Sequence, residues 1–82
     1  MKPMIGCIVI FHDLTSGHRP AIITSVEVRR SKDEFESRKI DLNDENSYNI
    51  RLTVFYPGKT EPLDGFVPFG NGAEAGRWAW GR

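Results

Sequence analysis

The sequence predicts an all-β protein: a small five-stranded SH3-like antiparallel barrel, with an open sheet that oligomerises as the structural alternative. Three observations carry that prediction. Apolar residues almost never recur at helical spacing; short β-branched and aromatic runs stand between Gly, Pro, Asn and Asp punctuation. The runs follow one another through short turns, as in a meander. The 82 residues make one small domain, and a chain of this size buries only about 60–65% of the surface its unfolded form exposes. Closing the sheet removes edges that so short a chain struggles to protect.

The first strand is expected over residues 4–11 (MIGCIVIF), apolar on both faces. A polar turn at 12–19 follows. The second strand, 20–30, carries Ile22, Thr24, Val26 and Val28 at even positions and Ala21, Ile23, Ser25, Glu27 and Arg29 at odd ones. Its polar residues at 25, 27 and 29 mark the odd face as wet beyond Ile23. Residues 31–47 (SKDEFESRKIDLNDENS) hold six acids and three bases. They are too charged for a central strand and are expected to form a mobile acidic loop within the single domain 1–82. Residues 48–56 give the cleanest strand, with Tyr48, Ile50, Leu52, Val54 and Tyr56 on one face and Asn49, Arg51, Thr53 and Phe55 on the other. The stretch PGKTEP reads as a turn in which Pro57-Gly58 matches a type II preference. A fourth strand is expected over 63–69, a glycine-rich loop over 70–76 and a short fifth strand over 77–80.

Charge and composition narrow the partners. Eleven basic and eleven acidic residues leave no net charge, whereas proteins that bind duplex nucleic acid without sequence preference are strongly basic. Outside 31–47 the chain carries eight bases and five acids, a modestly positive body suited to a small anion. The lone Cys7 excludes an internal disulfide. It lies in an apolar run and reads as core in a reducing cytoplasm. No small-residue cleavage site follows the first apolar run, and no apolar run approaches the ~20 residues of a membrane span. The expected location is the cytoplasm (the host's, if the chain is phage-encoded), with no membrane partner.

The stretch GRWAWGR holds both tryptophans. In a strand they share a face, opposite Arg77, Ala79 and Gly81. Turning them to solvent would leave an arginine and two small residues for the core, so at least one indole is expected to be buried. Near a rim, the other can stack on a nucleobase for about 1–3 kcal/mol, with Arg77 or Arg82 pairing with phosphate. In SGHRPA, Gly17 permits close backbone approach, and His18 and Arg19 are donors for an anion, although an ordinary solvated turn is the commoner meaning of so short a pattern. Arg51, Thr53 and Phe55 read as a solvated or subunit-packing face. The loop GNGAEAG matches neither a dinucleotide fingerprint nor a Walker loop. His12, Asp13 and His18 fit no zinc spacing, and no nucleophile elbow organises Ser16 or Ser25 with a histidine and Asp13. No enzymatic activity, cofactor or metal site is expected.

The order GCIVIF (6–11), PAIITSV (20–26), YPGK (56–59) and GRWAW (76–80) resembles a broad family of small tailed-bacteriophage proteins. Their pattern pairs a G-x-V-V-H-Y start with an A-A-I-V-T-E-V middle and a G-T-W-H-W-P end. The resemblance covers most of the chain outside the acidic segment. This chain has Ile10, Ala79 and Gly81 where the family has His, His and Pro, so no role of those histidines carries over. The family has no settled enzymatic activity, and small phage β-proteins of this size include sponges that oligomerise and sequester cyclic nucleotide immune signals of the host. The resemblance thus implies a non-enzymatic homo-oligomer that binds a small nucleotide-like ligand, a phage anti-defence sponge. An SH3-like protein-interaction module or minor phage structural protein is the alternative. A single thin barrel has little room for a pocket of roughly 300–1,000 Å³, so the ligand is expected between subunits. Its expected contacts are Gly17, His18, Arg19, Thr24, Phe69, Arg77, Trp78 and Trp80. The base would stack on Trp78, Trp80 or Phe69, phosphate would meet Arg19 and Arg77, and Thr24 with the amides of Gly17 and His18 would read base or sugar.

Overall fold

The computed structural model describes residues 2–29, 42–70 and 74–81. Five antiparallel strands form one sheet: β1 (Ile8–Asp13), β2 (Gly17–Val28), β3 (Tyr48–Tyr56), β4 (Lys59–Pro62) and β5 (Trp78–Trp80), in the order β4-β3-β2-β1-β5. The sheet is open, with β4 and β5 as its edges. Residues 63–70 run from one edge to the other. Leu63 N–H donates to Leu52 O (2.9 Å) and Val67 N–H to Ile50 O (2.7 Å); Trp78 N–H then donates to Pro68 O (3.0 Å) and Gly70 N–H to Trp78 O (2.8 Å).

This crossing segment replaces the strand the sequence predicts over 63–69. It makes only the isolated bridges Ile50–Val67 and Phe69–Trp78. Pro68 has no N–H to give to a ladder, and Gly65 adds backbone freedom, so a continuous strand is disfavoured there. The expected turn PGKTEP is instead a hairpin. Gly58 has φ +80 after Pro57, as a type II turn requires, and Lys59–Pro62 pairs back along β3 from Tyr56↔Lys59 to Thr53↔Pro62.

Strand alternation sorts the core. Ile50, Leu52 and Val54 of β3, Val9 of β1 and Trp78 of β5 are essentially fully buried, with Tyr48 and Val67 nearly so. Fully burying a Val, Leu or Ile contributes about 1.5–3 kcal/mol, so a few such residues supply most of the cohesion. In β2 the register slips at Thr24: Ile23 faces Leu52, but Ser25 faces Arg51. This extra residue is a β-bulge. Ala21 and Ile23 therefore point to the core from odd positions and Val26 from an even one, which resolves the mixed alternation in the sequence. Leu63, Val67 and Phe69 of the crossing segment pack onto the same face.

The first strand starts later than expected. Cys7 N–H donates to Met4 O at 3.1 Å across a turn in which Gly6 has φ +94, and Met4 and Ile5 are exposed. The turn at 12–19 is also shorter than expected. Asp13 Oδ1 accepts from the N–H of Thr15 (2.7 Å) and Ser16 (3.0 Å), which closes the hairpin over three residues. His12, His18 and Arg19 are consequently strand residues. Within the expected acidic loop, Glu45–Ser47 forms a 3-10 turn capped by Asp44, whose Oδ1 accepts from Asn46 N–H at 2.9 Å. Tyr48 Oη donates to Leu42 O at 2.7 Å. Residues 31–41 of that loop lie outside the described residues. No helix among the described residues is long and apolar enough to cross a membrane.

Candidate functional site

The alternation that turns Val9, Phe11, Ala21 and Trp78 toward the core turns a second set outward. Cross-strand register places Ile22 opposite Ile8, Pro20 opposite Ile10, and Ala79 on the other side of Ile10. Ile8 remains 59% exposed, Pro20 is exposed, and Ile10, Ile22 and Ala79 are half-buried. The result is a contiguous apolar patch on the outer face of β2, β1 and β5. Thr53 extends it beside Ile22.

The patch ends in a pair of histidines. His12 and His18 are direct partners across β1 and β2. Ile23 N–H donates to Cys7 O at 3.0 Å, which fixes the parity of the ladder and makes His12–His18 a non-hydrogen-bonded pair, the closer type, with Cα atoms about 4.5 Å apart. Their ring centroids lie 4.8 Å apart, nearly edge to face. His18 is exposed. The Nδ1 of His12 is buried with no hydrogen-bond partner, a condition that costs roughly 1–3 kcal/mol.

On the far side of His12, Gly76 N–H donates to His12 O (2.8 Å) while His12 N–H donates to Arg77 O (3.0 Å). Two residues thus face one, with Gly76 at φ +81, the geometry of a glycine bulge. The bulge starts β5 and sets the direction of Arg77. That side chain crosses the face of Gly70, where a Cβ would lie 2.7 Å from Arg77 Cδ. Its Nη1 donates to Phe69 O at 3.1 Å, and its Nε lies 2.7 Å from Glu74 Oε2.

Trp78 stands at the centre of an aromatic array. Trp78 meets Phe69 edge to face at 4.8 Å and Trp80 at 5.1 Å. Trp78 is 0% exposed, and its indole N–H is buried without a partner. It is the buried indole that the sequence predicts, and it has no face open to a ligand. Trp80 and Phe69 are half-buried and retain rims at the surface. The Trp80 indole N–H donates to Glu45 Oε2, and this bond holds the Glu45 carboxyl below its ordinary value.

Arg19 lies on the core side of the sheet end. Its guanidinium sits 5.7 Å from the Tyr56 ring centroid, and Nε donates to Phe55 O at 3.3 Å. Continuing the register places Phe55 beside Pro20, which has no N–H for that carbonyl, and Arg19 supplies the donor instead. Tyr56 Oη donates to Asp13 Oδ2 at 2.7 Å. Through this bond Asp13 is held below the usual carboxylate value and the Tyr56 hydroxyl is pushed up to about 12. Thr24 is exposed at its bulge, where its hydroxyl donates to Arg51 O at 3.3 Å.

The eight expected ligand contacts therefore fall into three places. Phe69, Arg77, Trp78 and Trp80 form one group. Gly17, His18 and Arg19 sit at the β1–β2 hairpin end, with His18 and Arg19 on opposite faces. Thr24 stands apart in the middle of β2. His12 lies between the first two groups, which are two strand spacings, about 10 Å, apart. Sequence reasoning weighed His12 only as a metal ligand or catalytic base, and it placed Tyr56, Glu45 and the Ile8–Ile10–Ile22 patch in no site. A hairpin register centred on Thr15 would have paired His12 with His18 and Ile8 with Ile22, but the turn length was needed to find it. The considered trio His12, Asp13 and His18 divides: Asp13 turns to Tyr56 on the core side, away from the two imidazoles. Among the described residues no group of three or more His, Cys, Asp or Glu gathers as metal ligands. No family model, curated protein or solved structure matches the chain.

Proposed function

We propose that this chain is a non-enzymatic binding protein that assembles with copies of itself through the outer face of its sheet. The observation that supports this reading is the patch formed by Ile8, Ile10, Ile22, Pro20 and Ala79, on the side of the sheet opposite the core. Contiguous apolar surface on a small soluble domain marks an interaction site more often than scattered exposed residues do. Zero net charge removes overall repulsion between identical copies. Association by the face is favoured over association by the edge, because β4 offers a Lys and a Pro to an incoming strand, features that block edge pairing. A twofold arrangement would bring each patch against its equivalent, as isologous contacts require. A protein-interaction role, or the minor phage structural role that the resemblance implies, fits such assembly.

A second reading, the sponge for a nucleotide-like ligand, is favoured by one observation: Arg77 donates to the carbonyl of Phe69, whose ring, like that of Trp80, is only half-buried. The Arg77–Glu74 pair is exposed at the carboxylate, 70% at its side chain, so a ligand phosphate could displace Glu74 cheaply. One experiment separates the readings. Molecular mass by light scattering is measured across a wide concentration range, and thermal shifts are recorded in the same samples with cyclic di- and trinucleotides. Concentration-dependent mass with a flat ligand panel supports the interaction module. A selective shift, with the ligand recovered unchanged on heating, supports the sponge. A monomer at every concentration, with no shift, overturns both.

A further inference from the structure

We infer that the cross-strand pair His12–His18 is a binding site for a borderline divalent transition metal of the copper, nickel and zinc class. The inference goes beyond self-assembly and does not depend on it. These are the only two histidines of the chain, and the hairpin register sets them directly opposite each other on the outer face. Two imidazoles that share a metal at about 2.0–2.1 Å from each nitrogen, in adjacent coordination positions, have ring centroids roughly 4.5–5.5 Å apart. The observed separation is 4.8 Å, with the ring planes 75° apart.

The surroundings suit such a cation. His12 is held from both sides, by the β1–β2 ladder and by the backbone bonds from Gly76 and to Arg77, so its Cα does not move to meet a metal. His18 is exposed and has room to turn its ring. His12 Nδ1 is a buried polar atom that the protein leaves without a partner. An imidazole ligates through one nitrogen while the other donates a hydrogen bond, so a hydrogen bond made by either ring is compatible with ligation. Asp13 faces Tyr56 instead, which leaves a set of two imidazole nitrogens to be completed by water. Imidazole ligands of this kind select Cu(II), Ni(II) and Zn(II) over Mg(II) and Ca(II), which prefer carboxylate and carbonyl oxygen. Two protein ligands make an exchangeable site, open to solvent or to a further ligand.

The test is titration of the whole chain with Cu(II), read by calorimetry and by electron paramagnetic resonance. The expected result is one equivalent bound per chain, with nitrogen hyperfine structure from two imidazoles. His18→Ala should weaken binding at least tenfold and remove one nitrogen from the spectrum while leaving the circular dichroism unchanged. His12→Ala, checked for folding in the same way, should do likewise. Equal binding by wild type and His18→Ala would overturn the inference by locating the copper elsewhere, for example at the N-terminal amine. Absence of imidazole nitrogen from the wild-type spectrum would overturn it as well.

Discussion

The two faces of this sheet are built from the same strands, residue by residue, yet they differ in what completes them. On the inner face, Val9, Ala21 and Trp78 are covered by the crossing segment and by one another until no surface remains. On the outer face, their sequence neighbours Ile8, Ile22 and Ala79 are equally apolar, yet Ile8 is left 59% exposed and Ile22 and Ala79 only half-buried. An alternating strand normally pairs an apolar face with a polar one. β1 does not alternate, and it is this departure that directs attention to the outer face. The same face ends in His12 and His18, whereas the inner face ends in Tyr56 hydrogen-bonded to Asp13, with the Arg19 guanidinium over the Tyr56 ring.

The largest expected effect comes from breaking the inner face. Trp78→Ala should cost about 3–5 kcal/mol, a large share of the 5–15 kcal/mol typical of a whole domain. Urea denaturation should show a shifted midpoint or an unfolded chain. Breaking the outer face should act differently. Ile8→Lys should change the intrinsic stability of the isolated fold by no more than about 0.5 kcal/mol. It should also remove any dependence of Tm on protein concentration. Equal losses from both variants would mean that the outer face is part of the fold's own core.

The inner end of the sheet makes a pH prediction of each sign. Folded Tyr56 keeps its proton to about pH 12, while the unfolded chain releases it near 10. Stability should therefore fall as pH rises between those values and level off above them. Folded Asp13 loses its proton below the ordinary value of 3.8, chiefly because Tyr56 donates to it. That contribution is complete above the ordinary value and should be lost as pH falls through the folded one. Tyr56→Phe should flatten the alkaline limb and weaken the acid one, as read by thermal melts across pH.

The smallest effect sharpens the ligand question. Glu74→Gln breaks an exposed ion pair and should change stability by less than about 1 kcal/mol. If Arg77 serves a phosphate, the same change should tighten nucleotide binding, because the guanidinium no longer has a competing carboxylate. Unchanged or weaker binding in a nucleotide titration would remove Arg77 from the ligand reading.

Much of the inner face was legible in the sequence. Tyr48–Tyr56 alternates cleanly because one side is dry and the other wet, and the burial of Trp78 follows from the poor packing that Arg77, Ala79 and Gly81 would offer. The parts that were not legible have physical reasons. The Thr24 bulge shifts which residues face inward, and alternation cannot locate a bulge in advance. Residues 63–69 are apolar enough for a strand, but their position at two sheet edges leaves only single bridges. The polar stretch KTEP looks like a turn because edge strands carry Lys and Pro to discourage pairing. The outer patch was hidden by hairpin register: Ile8, Ile10, Pro20 and Ile22 become neighbours only once Asp13 has closed a three-residue turn. Glu45, in the middle of an acidic stretch, gave no sign that it would meet Trp80.

The central claim is that the outer face is an interface between copies. Sedimentation equilibrium of the wild type and of Ile8→Lys tests it most directly. The account predicts a wild-type mass that rises with concentration to a multiple of 9.3 kDa, while Ile8→Lys remains at the monomer mass with an unchanged circular dichroism spectrum. A wild type that stays at 9.3 kDa throughout, or a variant that assembles as well as the wild type, would contradict it.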